Sequence, residues 1–219
     1  MKINWKHELP VLLIAMVPSI FLFSIWKELP EKVPMHWNFQ GEIDRYGNKN
    51  ELIWFAGLLP FFTYFIFQII PVIDPKGKIK NMGNKFQSLK LILTVFMSAL
   101  SIFIILSAKN QFIGNSNYIF MIIGLLFAVL GNYFQAIKPN YFIGIRTPWA
   151  LENEPVWKKT HALGGKLWLV GGILIVALAF LIRNNTTYFI IFSVITAIIC
   201  IIPVVYSYVQ YKKLEKEAE

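Results

Sequence analysis

Six stretches of this chain are long and apolar enough to cross a bilayer, and that leaves room for little except membrane helices. They lie near residues 9–26, 52–73, 90–108, 117–134, 164–182 and 187–208. A bilayer core needs roughly 20 apolar residues in helical form. A helix suits that medium because it satisfies its backbone groups within its own segment. Only 15% of the 219 residues are charged and 56% are apolar, whereas a soluble domain carries about 25% charge. The expected fold is therefore an all-α integral membrane protein with six transmembrane helices. Lys2 and Lys6 precede the first stretch as they would a signal peptide. WKELPEKVP follows it with no small-x-small cleavage pattern, so this stretch is expected to remain as a helix. Pro10 and Pro18 inside it are tolerable where neighbouring helices satisfy the freed carbonyls.

The net charge of +9 is unevenly placed. Of 21 Lys and Arg residues, 15 fall in the amino terminus, the 74–90 loop, the 135–167 segment and the tail. Only 6 fall in 27–51, 109–116 and 183–186. This positive-inside asymmetry puts both termini and loop 135–163 in the cytoplasm, and loop 27–51 outside. It also argues against nucleic acid as a partner. Lys76, Lys78, Lys80, Lys85 and Lys90 are expected to set topology beside anionic membrane lipids. A basic docking surface for a protein is the alternative. The single cysteine, Cys200, rules out an internal disulfide and a cysteine metal cluster, and it reads as a small buried apolar residue. Neither cofactor nor metal is expected.

The connectors are short, so residues 1–219 form a single membrane domain in this reading. Residues 1–73 hold two spans and the outer loop, and residues 117–208 hold the last three spans with loop 135–163. No repeat of 20–50 residues is visible. Gly124, Ala128 and Asn132 recur every four residues on one helical face. Gly164, Gly165, Gly171 and Gly172 recur at an interval of seven. Small residues let membrane helices approach closely, so the fourth and fifth spans are expected to pack tightly, in one arrangement against each other.

Residues 132–168 form a polar and aromatic segment beside the bilayer, where polar groups are costly. Pro139 and Pro148 bias the residues before them away from helix, so 137–149 is expected to be irregular. Asn153 is a plausible helix N-cap, with Glu154 and Pro155 in the first turn. On that helix Glu154, Trp157, His161, Gly165 and Trp168 share one side. Arg146, from the preceding turn, is placed to pair with Glu154. Plainer roles compete: the tryptophans as interfacial anchors, Arg146 gripping a lipid phosphate, and His161 as a hydrogen-bonded structural group.

The run GN(x7)N(x3)GIRTPWxL(x2)E(x2)W(x3)H(x2)GG, from Gly131 to Gly165, resembles the signature of the SdpI family of bacterial membrane proteins. Ala150 stands where the family often has threonine. The resemblance implies six spans and immunity to a secreted peptide toxin, and in the best-known case the holding of a cytoplasmic repressor at the membrane. The inner candidate binding residues are Asn132, Asn140, Gly144, Arg146, Thr147, Trp149, Glu154, Trp157 and His161.

The outer loop, 29–49, is stiffened by Pro30 and Pro34, with turns expected at Gly41 and at Gly47–Asn48. It resembles an amino-terminal module of unknown function common in SdpI-like proteins. His36, Trp37 and Asp44 are the candidate binding residues there. His36, Glu42 and Asp44 are metal-ligand types, but their spacing fits no standard zinc pattern. Local hydrogen bonding between His36 and Asp44 is the simpler reading.

Three functions follow for testing. The first is toxin immunity or sensing. The second is transport, which the scarcity of charge inside the spans disfavours. There Gln68, Asn132 and Gln135 are the notable polar residues. The third is a membrane enzyme on lipid or peptide, with Glu154 and His161 as the acid–base pair. No nucleophile motif, zincin helix or phosphate loop supports that reading, and the chain is expected not to be an enzyme.

Overall fold

The computed structural model describes residues 5–38, 40, 42–110 and 117–218. Seven helices and one hairpin follow in order: α1 (Trp5–Ser24), β1 (Lys32–Trp37), β2 (Ile43–Asn48), α2 (Glu51–Ile73), α3 (Asn84–Asn110), α4 (Asn117–Tyr133), α5 (Pro148–Glu152), α6 (Glu154–Leu181) and α7 (Asn185–Ala218). All but α5 are long and apolar enough to span a membrane. Large apolar side chains such as Leu13, Phe62, Phe65, Ile173 and Val205 are exposed along them, as lipid-facing surfaces require. Cys200 is also exposed rather than buried.

The chain divides into two compact units. In the first, α1, α2 and α3 pack on one another and carry the hairpin. At the hairpin end Leu22, Ile25, Leu29, Val33, Leu52, Ala56, Ile105 and Ala108 form a buried apolar cluster. Serines also tie the helices together. Ser101 Oγ donates to the Phe55 carbonyl at 2.9 Å, and Ser98 Oγ to the Ile14 carbonyl at 3.1 Å. The hairpin departs from the turn-rich outer loop expected above. Its strands are antiparallel, with Val33 opposite Gly47 and Trp37 opposite Ile43. Gly47 and Asn48 therefore lie inside β2 rather than in a turn. Pro34 is compatible with β1 because a two-stranded sheet consists of edges. Gly41 lies outside the described residues.

In the second unit, α4, α6 and α7 pack together. The glycines of α6 serve two neighbours. Gly165 and Gly172 face α4: a Cβ at Gly165 would sit 2.7 Å from the Gly131 carbonyl oxygen, and one at Gly172 would strike the backbone of Gly124 and Ala128. Gly171 faces α7, where a Cβ would sit 2.7 Å from Ile199. The fourth and fifth spans thus pack directly on each other. Gly131, not Asn132, is the third small residue of the α4 face, and Asn132 is exposed. The segment 74–82 folds with this unit. Its Asp74 carboxylate accepts the Ile79 amide at 2.7 Å, and Ile79 is buried.

Candidate functional site

The 134–161 segment is held by its own polar groups. After α4 the chain makes one tight turn, Phe134–Ala136, then runs irregularly to α5. Asn140 organises that stretch. Its Oδ1 accepts the amides of Phe142 at 2.8 Å and Ile143 at 2.7 Å, while its Nδ2 donates to the carbonyls of Lys138 and Ile143. All the side chain's main bonding capacity is spent on the backbone, in the manner of an Asx turn. Asn140 is correspondingly buried.

His161 fixes the loop to α6. Its Nδ1 lies 2.9 Å from the Trp157 carbonyl, and its Nε2 lies 3.0 Å from the Ile145 amide. A carbonyl only accepts and an amide N–H only donates. The ring therefore carries its proton on Nδ1 and is neutral. Its plane stacks on Trp157, 4.0 Å between centroids and 21° apart. Trp157, 1% exposed, donates from Nε1 to the Ile137 carbonyl at 2.8 Å. Gly144 crosses this pair at φ +107, and a Cβ there would collide with His161 Nε2 and crowd Trp157. Only glycine meets both demands.

A second tie runs to α7. Ser207 Oγ donates to the Val204 carbonyl at 2.6 Å and accepts Trp149 Nε1 at 2.7 Å. Its one proton is thereby used, so the Thr147 hydroxyl, 3.1 Å away, must be the donor in that contact. Trp149 also meets Tyr208 edge-on. Sequence reasoning missed Ser207, and no local pattern marks a serine 58 residues away as the partner of Trp149.

Arg146 and Glu154 do not pair. Arg146 is exposed and donates to the Tyr141 carbonyl. Glu154 is exposed and bridges to Lys158 at 2.8 Å, one helical turn on. That i,i+4 partner lies closer along the helix than a residue across the loop. Asn153 holds the N-cap position in extended conformation (φ −131), but its side chain makes no capping bond. The irregular stretch ends at Thr147, because α5 begins at Pro148. Lys76 lies 5.1 Å from the Tyr141 ring centroid. Its ammonium is held above its ordinary pKa, first by hydrogen bonding to Tyr141.

In the hairpin, His36 Nδ1 and Asp44 Oδ1 are 2.6 Å apart, with both residues exposed. Glu42 does not join them and instead accepts Asn38 Nδ2 at 3.1 Å. Trp37, at the end of β1, is half-buried.

The first unit also holds a polar centre absent from the sequence reading. Lys90 Nζ lies 2.5 Å from Glu8 Oε1, with both side chains buried. Gln68 Nε2 donates to the other Glu8 oxygen, and the Tyr64 ring lies 5.6 Å from Lys90 Nζ. Lys90 is thus a buried partner of α1 rather than a topology-setting loop charge. The pair sits near the ends of α1 and α3, at the edge of spans in which charge is otherwise scarce.

The SdpI/YfhL protein family model matches residues 136–207, which begins at the tight turn and ends at Ser207. A domain of unknown function, DUF1648, matches residues 13–60 and includes the hairpin. The chain is 31% identical over 219 aligned residues to the Immunity protein SdpI of Bacillus subtilis strain 168, covering 93% of this chain and 96% of that protein. The chain belongs to the SdpI family. Family membership and the six apolar helices make it a multi-pass protein of the cytoplasmic membrane. No solved structure matches the chain. Within the SdpI region, Asn140, Gly144, Trp157 and His161 shape the loop and hold it against α6, while Thr147 and Trp149 tie it to Ser207 of α7. Asn132, Arg146 and Glu154 are exposed.

Proposed function

We propose that this chain is a membrane immunity protein that protects its cell from a secreted peptide toxin. The observation that carries the reading is identity along nearly the whole length of a protein named for immunity, 93% of one chain and 96% of the other. The charge distribution supports an extracellular hairpin and a cytoplasmic 135–163 segment. In this reading the hairpin, with Trp37 beside the His36–Asp44 pair, meets the toxin. The exposed rim of Arg146, Glu154 and Lys158 faces the cytoplasm and is the surface on which a repressor is held. Coupling requires that toxin and repressor favour the same one of two helix arrangements. The role is binding rather than catalysis.

Transport is the second reading, and the buried Glu8–Lys90 pair is the observation in its favour. Glu8 lies in the first turn of α1 and Lys90 in the second turn of α3. That placement is near the helix ends rather than the midplane where transport sites sit.

The test is survival of toxin-sensitive cells expressing the chain, with membrane insertion checked by fractionation. Wild type is expected to protect. Arg146→Ala, an exposed change, is expected to remain inserted and lose protection or repressor capture. A fully active Arg146→Ala protein would remove that residue from the site. No protection by inserted wild type against any peptide toxin tried would defeat the immunity reading.

A further inference from the structure

A proline inside a helix has no N–H, so the carbonyl four residues before it loses its helical donor. At three prolines a neighbouring helix supplies the missing donor, as a membrane interior requires. Ser98 Oγ of α3 donates to the Ile14 carbonyl, four residues before Pro18, at 3.1 Å. Ser19 Oγ of α1 donates to the Ala56 carbonyl, four residues before Pro60, at 3.4 Å. In α7 the donor is an indole. Trp168 Nε1 of α6 lies 3.0 Å from the Ile199 carbonyl, four residues before Pro203. A bond between helices thus stands where a bond along α7 is missing.

The two sides of Pro203 are held by different partners. Before it, Tyr188 Oη donates to the Ile175 carbonyl of α6 at 2.8 Å. The Phe192 ring lies 4.6 Å from that of Phe120 in α4, and Ile199 lies against Gly171 of α6. After it, Ser207 is bonded to Thr147 and Trp149, and Tyr208 meets the Trp149 ring. The break also has a meaningful place along the helix. α7 has 34 residues and Pro203 is the 19th, close to the roughly 20 that a bilayer core takes. The missing bond therefore falls where the span is complete, and residues 204–218 run on from it.

We infer that α7 is a jointed helix, with Pro203 as the joint and the Trp168–Ile199 bond as the latch that holds it closed. Its first part, 185–199, moves with α4 and α6. Its last part, 204–218, moves with the 147–152 segment through Ser207 and Tyr208. A displacement of that segment is carried to the charged end of α7 without repacking the span. A partner bound at that end acts back on the segment by the same coupling. Trp168 is a positioning residue in this device, and the inference does not depend on the immunity reading.

The test is amide hydrogen exchange of the full chain in nanodiscs, read by mass spectrometry. Trp168→Phe keeps a ring against Phe127 and Phe134 but deletes the donor. It is expected to speed exchange over 204–211 roughly tenfold, which corresponds to about 1.4 kcal/mol, with 185–198 staying within about twofold of wild type. Pro203→Ala returns a helical N–H to the Ile199 carbonyl. Adding Trp168→Phe to that variant should change 204–211 by less than about twofold, a non-additivity that only a shared bond produces. Lost ring packing would act equally in both backgrounds. Ser207→Ala is an independent probe, because it leaves the latch intact. It should speed exchange over 147–152 and 204–211 together and spare 185–198. Unchanged exchange over 204–211 in Trp168→Phe would overturn the inference. So would an equal effect of Trp168→Phe with and without Pro203, or a rise along all of α7 in Ser207→Ala.

Discussion

Each of the two units buries an ionisable group, and they do so by opposite means. In the first, Glu8 and Lys90 are 82 residues apart and meet as a charge pair among three helices. In the second, His161 reaches only 16 residues back to Ile145 and is held neutral between a carbonyl and an amide. A paired charge is indifferent to the exact loop around it but demands its partner. A neutral histidine with both nitrogens bonded demands one loop path and one tautomer. The first device joins helices, and the second shapes a segment. The family models fall accordingly. The SdpI region contains the histidine and its whole assembly, whereas Glu8, Gln68 and Lys90 lie outside both matched regions.

The largest effect that separates the two devices is expected at the charge pair. Lys90→Met should leave the Glu8 carboxylate buried without its cation and destabilise the first unit by about 3–5 kcal/mol. The double change Glu8→Leu, Lys90→Met should recover most of that loss. Unfolding of purified single and double variants in mixed micelles measures both. A double variant no better than the single would mean that the pair does more than hold helices, and would strengthen the transport reading.

A smaller effect is expected at the histidine. His161→Ala leaves the Ile145 amide without its acceptor, at about 1–3 kcal/mol. The loss should localise to residues 137–147 as faster amide exchange, with the α4–α6 glycine contact intact. Exchange that rises equally along α4 and α6 would show that the ring supports the helix pair as well as the loop.

The smallest effect is expected at the hairpin. His36 and Asp44 are both exposed, so Asp44→Asn should cost less than about 1 kcal/mol. Protease susceptibility of the 32–48 hairpin is the sensitive readout. A large loss of stability would mean that the pair is shielded in the membrane-bound protein.

What the sequence disclosed follows the same division. Local signals were legible: the apolar runs, the glycines at an interval of seven, and the Asn153-Glu154-Pro155 start of α6. His161 with Trp157, four apart on one helix face, was legible as a pair. Partners set by tertiary contact were not. Ser207 gives no local sign that it receives Trp149 and Thr147. Lys90 reads as one more lysine in a basic loop until α1 brings Glu8 against it. Arg146 and Glu154 looked complementary, yet each found a nearer partner, the Tyr141 carbonyl and Lys158. The hairpin was hidden by Pro34 and by strands whose side chains alternate poorly between polar and apolar. The lesson for the site is that most of the SdpI motif bonds inward. Asn140, Trp157 and His161 build a platform, and Arg146, Glu154 and Asn132 remain at the surface.

That claim rests most directly on the state of one ring. Nitrogen-15 NMR of histidine side chains in nanodisc-embedded protein, with His161→Gln to assign the signal, reads the tautomer. The expected result is a neutral imidazole protonated on Nδ1, with Nε2 bare and accepting the Ile145 amide. A proton on Nε2, or a charged ring, would contradict the account, because that nitrogen would then be free of the loop and available to a ligand.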